Sequence, residues 1–254
     1  MAPPFSASTD GTYACLQDGF LRVRDLNTTL LDRKLPSDFA SASASFRWLG
    51  SEQVLVYDTD VVLYEYVPHS QAPGTSALIE GIGKISNVDF GNSGHILVFS
   101  EGQIKLTIWS VKTARGIELR DPKFSTKGYS YRASGHFAFL SHPGQQDILT
   151  IHEPESYEVI ASVVVPTTDA QGVKWNSDGC WLAVWDSPSS GCRVLIYTAD
   201  GNLYRSYSGS QDIPGLGLGV RSIEWCGSEL AVGDHDRRIT ILKSNTVSDV
   251  LLQY

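Results

Sequence analysis

Short apolar runs separated by polar turns recur along the whole chain at a nearly constant spacing. Each run carries an aromatic residue that is followed within a few positions by a turn of Gly or Ser. These marker aromatics are Phe5, Trp48, Phe90, Tyr131, Trp175 and Trp225. Their successive spacings are 43, 42, 41, 44 and 50 residues, which is the length that one four-stranded propeller blade occupies. The pattern predicts an all-β propeller of about six blades, in which each blade buries its faces by stacking on its neighbours.

The second half of the chain shows the repeat most clearly. After the apolar run that ends at Trp175, residues 176–179 have a turn composition, and residues 181–185 and 194–197 form two further runs. Residues 220–242 repeat this order. Turn residues between β-branched and aromatic runs are typical of hairpins, and no long window has the 3.6-residue period of a helix. The sequence therefore predicts strands throughout, with no helical layer.

An aspartate recurs between the second and third predicted strands of most repeats. These aspartates are Asp18, Asp60, Asp147 and Asp236. A carboxylate at this place can accept hydrogen bonds from turn amides and tie the loop to the neighbouring blade. A simple turn-forming role is also sufficient for all four.

The dipeptide Trp185-Asp186 resembles the pair of residues after which WD repeats are named, but it stands at another place in the repeat. It ends the second predicted strand, whereas the naming pair belongs at the end of the third. There the chain has Arg24-Asp25, Trp109-Ser110, His152-Glu153 and Tyr197-Thr198. The prediction of WD-type blades therefore depends on the period and the strand pattern.

The composition fits a globular chain with an acidic surface. The 254 residues are 42% hydrophobic and carry a formal net charge of -8, so a core can form and a nucleic-acid backbone is disfavoured as a partner. Residues 1–10 lack the basic and apolar regions of a signal peptide, and no run approaches the roughly 18 apolar residues of a membrane span. The cytosol is the expected compartment, with no membrane partner.

Residue types that carry out chemistry are scattered along the chain. The six histidines and four cysteines show no spacing typical of metal ligands, and each cysteine is expected to be a small buried apolar residue. Residues 215–219 include three glycines but lead into a strand pattern, where a dinucleotide-binding loop requires a helix. We therefore expect no enzyme activity, no cofactor and no metal site.

Two segments resemble one particular WD-repeat family more closely than the general repeat. Residues 172–186 and 194–207 resemble the fifth repeat of the centrosomal and spindle-pole WD-repeat family that is named for a member antisense to the p53 gene. Residues 218–242 resemble its sixth repeat. Before residue 172 the resemblance is one of pattern only.

The resemblance implies a non-catalytic scaffold. Members of this family pair with a coiled-coil anchoring protein and, in fungi, with a minus-end-directed kinesin, and they hold microtubule minus ends at the spindle pole body or centrosome during mitosis. The implied location is the cytoplasm and cytoskeleton. Because the family extends further, we expect residues 1–254 to be one propeller or the N-terminal part of a larger one. Six blades can close into a ring, whereas an open arc would expose strand edges to another chain.

Five residues are expected to contact a protein partner: Trp185, Asp186, Arg193, His235 and Arg237. They flank the polar loops 187–192 and 234–237, and exposed loops on a rigid scaffold are common contact sites. Two other adaptor roles are alternatives. A ubiquitin-ligase substrate receptor usually has an Arg two positions after a Trp-Asp pair, which this chain lacks. An RNA-associated or ribosome-associated propeller is disfavoured by the acidic balance.

Overall fold

The fold is all-β in the residues that the structure, a computed structural model, describes. These are residues 5–7, 12–25, 28–34, 45–49, 53–57, 61–65, 76–79, 84–91, 94–187, 193–208, 219–235, 237–242 and 247–250. Their strands form four-stranded antiparallel sheets that follow one another along the chain. Each sheet pairs its strands in chain order, so consecutive strands are hairpin neighbours.

The first three sheets occupy residues 5–120. The first contains β1 (Phe5–Ala7), β2 (Tyr13–Gln17), β3 (Phe20–Arg24) and β4 (Thr29–Lys34). The second contains β5 (Ser45–Leu49), β6 (Gln53–Tyr57), β7 (Val61–Glu65) and β8 (Ser76–Ile79). The third contains β9 (Ile85–Phe90), β10 (His95–Ser100), β11 (Lys105–Ser110) and β12 (Arg115–Arg120), with a 3-10 turn at Glu101–Gln103.

The last three sheets occupy residues 129–250. The fourth contains β13 (Tyr129–Tyr131), β14 (Phe137–Ser141), β15 (Ile148–His152) and β16 (Val159–Val164). The fifth contains β17 (Ala170–Trp175), β18 (Trp181–Asp186), β19 (Arg193–Thr198) and β20 (Leu203–Ser208). The sixth contains β21 (Val220–Cys226), β22 (Glu229–Asp234), β23 (Ile239–Leu242) and β24 (Val247–Val250).

Three of the marker aromatics end the first strands of their sheets, as predicted: Phe90, Tyr131 and Trp175 are the last residues of β9, β13 and β17. Trp48 and Trp225 stand one residue before the ends of β5 and β21, whereas Phe5 begins β1. In the first sheet Phe5 pairs with Cys15 and Ala7 pairs with Tyr13. Ala7, not Phe5, therefore holds the position before the turn.

The chain forms two compact units. The first comprises residues 1–90 and 98–102, and the second comprises residues 91–97 and 103–254. In the first unit, Ala14, Leu21 and Val23 are buried in the first sheet, and Arg22 pairs with Asp32 across β3 and β4 at 3.3 Å. In the second unit, β13 and β14 contact β17, so the fourth and fifth sheets pack as neighbours. That residues 1–254 form one propeller domain stays a prediction.

Strand β18 belongs to two cores because its side chains alternate between the faces of the fifth sheet. Leu182 and Val184 lie in a cluster with residues of the fourth sheet, including Leu140 and Leu149. Ala183 and Trp185 lie in a cluster with residues of the sixth sheet. A strand turns successive side chains to opposite faces. A run of consecutive apolar residues is therefore what a strand between two neighbouring sheets requires.

In the third, fourth and fifth sheets, burial is highest in the second strand and lowest in the fourth. Residues Phe137–Leu140 of β14 and all of β10 are buried, whereas most of β12 and β16 is exposed. The exposed residues of β16 include Val159 and Val164, each 57% exposed. The fourth strands therefore form the solvent edge of these sheets, and their sequences lack the apolar runs of the second strands.

The cysteines contradict the sequence expectation of burial. Cys180 and Cys226 are exposed and Cys15 is half-buried, and all three are free thiols. Cys180 follows the turn after Trp175, and Cys226 ends β21 at the equivalent turn. Their place at hairpin tips, beyond the buried part of each strand, explains the exposure. Cys192 lies outside the described residues.

His152 gives the fourth sheet a pH-sensitive core. Its ring is 1% exposed; Nδ1 lies 2.8 Å from the carbonyl oxygen of Tyr157, and Nε2 lies 2.8 Å from Thr150 Oγ1. Burial lowers the pKa of His152 below its ordinary value of 6.5, against the opposing effect of the hydrogen bond to Tyr157. As pH falls below 6.5, the unfolded chain takes up this proton before the folded chain does, and stability decreases.

We expect the free energy of unfolding to decline as pH falls from 6.5 towards the folded pKa of His152. A His152→Gln variant should show a shallower decline over the same range, because it has no proton to take up at this site. Urea unfolding at a series of pH values measures both slopes. An unchanged slope in the variant would show that another group is responsible.

Candidate interaction site

The structure buries two of the five predicted contact residues. Trp185 and Asp186 end β18 and are 6% and 0% exposed. The Asp186 carboxylate accepts hydrogen bonds from the backbone N–H groups of Asp169, at 3.0 Å, and of Ser187, at 2.9 Å. It therefore holds the segment that enters β17 against the end of β18. The partner contacts of both residues stay a prediction.

Trp185 is kept in place by the glycine that faces it. Gly172 pairs with Trp185 across β17 and β18. A Cβ at residue 172 would overlap the indole ring of Trp185 and come within 3.0 Å of the Lys127 carbonyl oxygen. The ring therefore occupies the space that a side chain at 172 would need, and it joins the core shared with the sixth sheet.

The other three predicted contact residues are exposed on two equivalent connections, each between the second and third strands of a sheet. Arg193 begins β19, and its Nη1 donates a hydrogen bond to the Pro166 carbonyl oxygen at 2.9 Å. His235 and Arg237 follow β22, which ends at the buried Asp234. The Asp234 Oδ1 accepts a hydrogen bond from the Arg238 backbone N–H at 2.9 Å. Their role in partner binding stays a prediction. Residues 188–192 and 236 lie outside the described part of the chain.

Asp147, on the equivalent connection of the fourth sheet, joins three segments of the chain. It is fully buried, and its Oδ1 accepts hydrogen bonds from Lys123 Nζ at 2.5 Å and His142 Nδ1 at 2.7 Å. Its Oδ2 accepts from Thr167 Oγ1 at 2.9 Å and from the Ala170 backbone N–H at 2.6 Å. Ala170 begins β17, so the carboxylate ties the fourth sheet to the fifth.

The recurrent aspartates therefore differ in role. The predicted tie to the neighbouring blade is confirmed at Asp147, where a turn-forming role alone is not sufficient. Asp18 is an exposed turn residue with φ of 52°, which is the simpler role. Asp60 and Asp236 lie outside the described residues.

A cavity of about 300 Å³ opens where the first strands of the last three sheets come together. Its lining consists of residues from the segment that enters β13, from β17, β18 and β21: Thr126, Lys127, Tyr129, Ser130, Val173, Lys174, Trp185, Arg221, Ser222 and Ile223. Among the described residues, the lining includes three cationic side chains and no carboxylate. This cavity is named the first-strand cavity below.

The sequence pattern did not indicate this cavity. Its polar residues are spread over nearly a hundred positions, from Thr126 to Ser222, and belong to three repeats. The sequence contains one signal for this cavity, which is the position of two polar residues within their repeats. Ser130 and Lys174 each stand directly before a marker aromatic, at the same position of their first strands.

No three His, Cys, Asp or Glu side chains of the described residues are grouped so that they could hold a metal ion. In the same part of the chain, no helix has the length and hydropathy of a membrane span.

The fold belongs to the WD40 β-propeller class, which confirms the predicted fold class. The chain is similar to the Dos1 propeller, with a TM-score of 0.63 and 11% identity over 98% of this chain and 68% of that one. It is also similar to the C-terminal WD40 domain of Sif2, with a TM-score of 0.57 and 15% identity over 93% and 68% of the two chains. A third similar structure is Hsv2 of Kluyveromyces lactis, with a TM-score of 0.54 and 13% identity over 95% of this chain and 75% of that one. Identities this low show the fold alone.

Two proteins are similar in sequence, and both are WD repeat-containing proteins, as predicted. The mouse WD repeat-containing protein WRAP73 is 28% identical over 155 residues, which is 60% of this chain and 32% of WRAP73. An uncharacterized WD repeat-containing protein of Schizosaccharomyces pombe is 27% identical over 202 residues, which is 77% of this chain and 39% of that protein. The matched region thus spans between three and four tenths of each relative. No protein-family model matches the chain.

Proposed function

We propose that this chain is a non-catalytic scaffold that binds a coiled-coil anchoring protein and helps to tether microtubule minus ends at the spindle pole body or centrosome. In this role it acts in the cytoplasm and on the cytoskeleton, and a minus-end-directed kinesin joins through the complex. The WD40 propeller is in general a protein-interaction fold, which supports the broad part of the proposal.

The observation that carries the specific part is the resemblance of residues 172–242 to repeats of the spindle-pole family. Those residues form β17 to β23, where the strand of residues 182–186 is an interior strand with all five residues buried. The similarity to WRAP73 supports the same family. The resemblance thus falls on a well-packed part of the second unit, where side-chain identity has structural consequences.

The exposed basic residues of the fifth and sixth sheets are the proposed contact surface. Arg193, His235 and Arg237 lie on equivalent connections, and the buried Asp186 and Asp234 fix the backbone next to them. Arg193 and Arg237 each place an exposed positive charge on a chain with a net charge of -8, and positive charges at a contact surface favour an acidic partner segment. Charge complementarity of this kind contributes mainly to specificity and association rate.

The test is purification of the tagged chain from dividing cells, in the natural form and as an Arg193→Glu/Arg237→Glu variant. We expect the natural chain to recover a coiled-coil pole protein and to localise at spindle poles, and the variant to recover it less well. A Lys112→Glu/Arg115→Glu variant is the control. It makes the same change of charge at exposed residues of the third sheet. Recovery of ribosomal components alone would refute the proposal and favour the RNA-associated alternative.

A further inference from the structure

The first-strand cavity is a cationic site within an acidic protein. Lys127, Lys174 and Arg221 line it together with the aromatic Tyr129 and Trp185. Lys174 is already paired, since its Nζ lies 2.5 Å from Glu224 Oε2. Among the described residues, Lys127 and Arg221 form no ion pair. Two exposed positive charges are therefore available at a concave site whose described lining contains no carboxylate.

The backbone holds the Lys127 side of the cavity in place. The Lys127 carbonyl oxygen accepts a hydrogen bond from the Val173 N–H at 3.0 Å, which ties the segment before β13 to β17. The next carbonyl, of Gly128, accepts from the Leu140 N–H at 2.7 Å. The cation at 127 is thus attached to a backbone that two neighbouring strands fix, and a site fixed in this way loses less entropy on binding.

A β-bulge directs Arg221 at the other side of the cavity. Val220 pairs with Asp234 and Ser222 pairs with Gly233, so Arg221 is the extra residue of β21. The fifth sheet has the same bulge at Gln171, between Ala170 and Gly172. There the side chain bonds locally, from Nε2 to the Asp169 carboxylate at 3.0 Å. Bulges redirect side chains and are frequent near functional sites. The sixth sheet therefore uses a repeated structural feature to place a cation at the cavity.

We propose that the first-strand cavity binds an anionic segment of a protein partner, with carboxylate or phosphate groups paired to Lys127 and Arg221. The inference rests on the proposed scaffold function and specifies the chemistry of one partner segment. Arg presents a planar fork of donors that suits either anion, and Lys adds a point charge. Tyr129 and Trp185 supply an apolar wall for the stem of the bound residue.

A peptide fits this site better than a nucleic acid. A cavity of about 300 Å³ accommodates one or two side chains, and two unpaired cations match one or two negative groups. A nucleic-acid strand carries a phosphate at every nucleotide. The phosphates on either side of the bound one would therefore be repelled by a chain with a net charge of -8.

The test is fluorescence anisotropy with the full chain and three labelled probes of equal net charge: a glutamate-rich peptide, a phosphoserine peptide and oligouridine. The cavity variant is Lys127→Glu/Arg221→Glu, and the control variant is Lys112→Glu/Arg115→Glu. We expect at least one peptide to bind the natural chain, to bind the control variant equally, and to bind the cavity variant more weakly by roughly tenfold or more. The tighter of the two peptides identifies carboxylate or phosphate as the preferred group.

Three results would overturn the inference: no peptide binding to the natural chain, equal binding by the cavity variant, or tighter binding of oligouridine that the cavity variant abolishes. Melting temperatures report whether the variants fold. If the reversal of charge unfolds the chain, the Lys127→Gln/Arg221→Gln variant replaces it in the same comparison. The purification described above separates the two proposals, because a natural chain that binds no peptide but still recovers the coiled-coil protein rejects only the cavity site.

Discussion

Replacing Asp147 with Asn will lower the free energy of unfolding by about 3 to 5 kcal/mol, which is the usual cost of removing one partner of a buried ion pair. The carboxylate is fully buried and lies 2.5 Å from Lys123 Nζ, whose side chain is 7% exposed. After the substitution, Asp169, at 3.0 Å, is the remaining ionic partner of Lys123 within the described part of the chain, and that carboxylate is 47% exposed. Chemical denaturation of the natural chain and the variant measures the difference.

Asp18→Asn is the matched control for this substitution. Asp18 occupies the corresponding connection of the first sheet but is exposed, and Asn tolerates its left-handed backbone conformation. The control should change stability by less than about 0.5 kcal/mol, as surface substitutions usually do. A similar small change in the Asp147 variant would mean that the buried pair contributes little.

The Asp147 variant should also differ in its response to acid. Burial acts to raise the pKa of Asp147, but the hydrogen bonds from Lys123, Ala170, His142 and Thr167 outweigh it and hold the pKa below the ordinary 3.8. The stability that this carboxylate contributes is therefore fully present above about pH 3.8 and is lost as pH falls from there through the folded pKa. The variant should lose less stability than the natural chain over that acidic range.

Replacing Trp175 with Ala will lower the free energy of unfolding by about 3 to 5 kcal/mol, the range for truncating a large buried aromatic side chain. The indole is 5% exposed and lies in the core between the fourth and fifth sheets. The Arg132 guanidinium lies over its ring, 5.7 Å from the centroid. Loss of the ring therefore leaves a cavity at an interface between sheets and removes the contact with Arg132. Thermal and urea unfolding measure the change.

Trp175→Phe separates packing from hydrogen bonding. The indole Nε1 of Trp175 has no hydrogen-bond partner among the described residues, so the Phe variant loses mainly volume and should retain most of the stability. At Trp225, by contrast, Nε1 donates to the Lys174 carbonyl oxygen at 3.0 Å. A Trp175→Ala effect below about 1 kcal/mol would place the ring outside the core, since surface truncations have effects of that size.

The repeat length and the interior strands could be predicted because both are local properties of the sequence. One blade occupies a fixed length of chain, and a strand buried on both faces requires an uninterrupted apolar run such as that of residues 182–185. The sequence pattern did not predict where the fourth strand of each sheet lies. Their residues are mostly exposed, as in β16, so selection for burial leaves little pattern in them.

The candidate site could not be predicted because its residues are brought together only by packing between sheets. Lys127 and Arg221 are far apart in sequence and line one cavity together with residues of the fifth sheet, which lies between them along the chain. Asp147 likewise reaches Lys123 and Ala170, each more than 20 positions away. Asp18 and Asp147 occupy corresponding positions, and nothing in the sequence near either one indicates which of them is buried.

The alternation along β18 has a consequence for how such a chain can change over generations. Because Leu182 and Val184 face one neighbour while Ala183 and Trp185 face the other, transplanting a whole blade from a related protein disturbs two joints at once. A crossover inside a sheet does not avoid this, because every interior strand contributes side chains to both faces. Related proteins should therefore exchange runs of several adjacent blades more readily than single blades, since a long run keeps its internal joints intact.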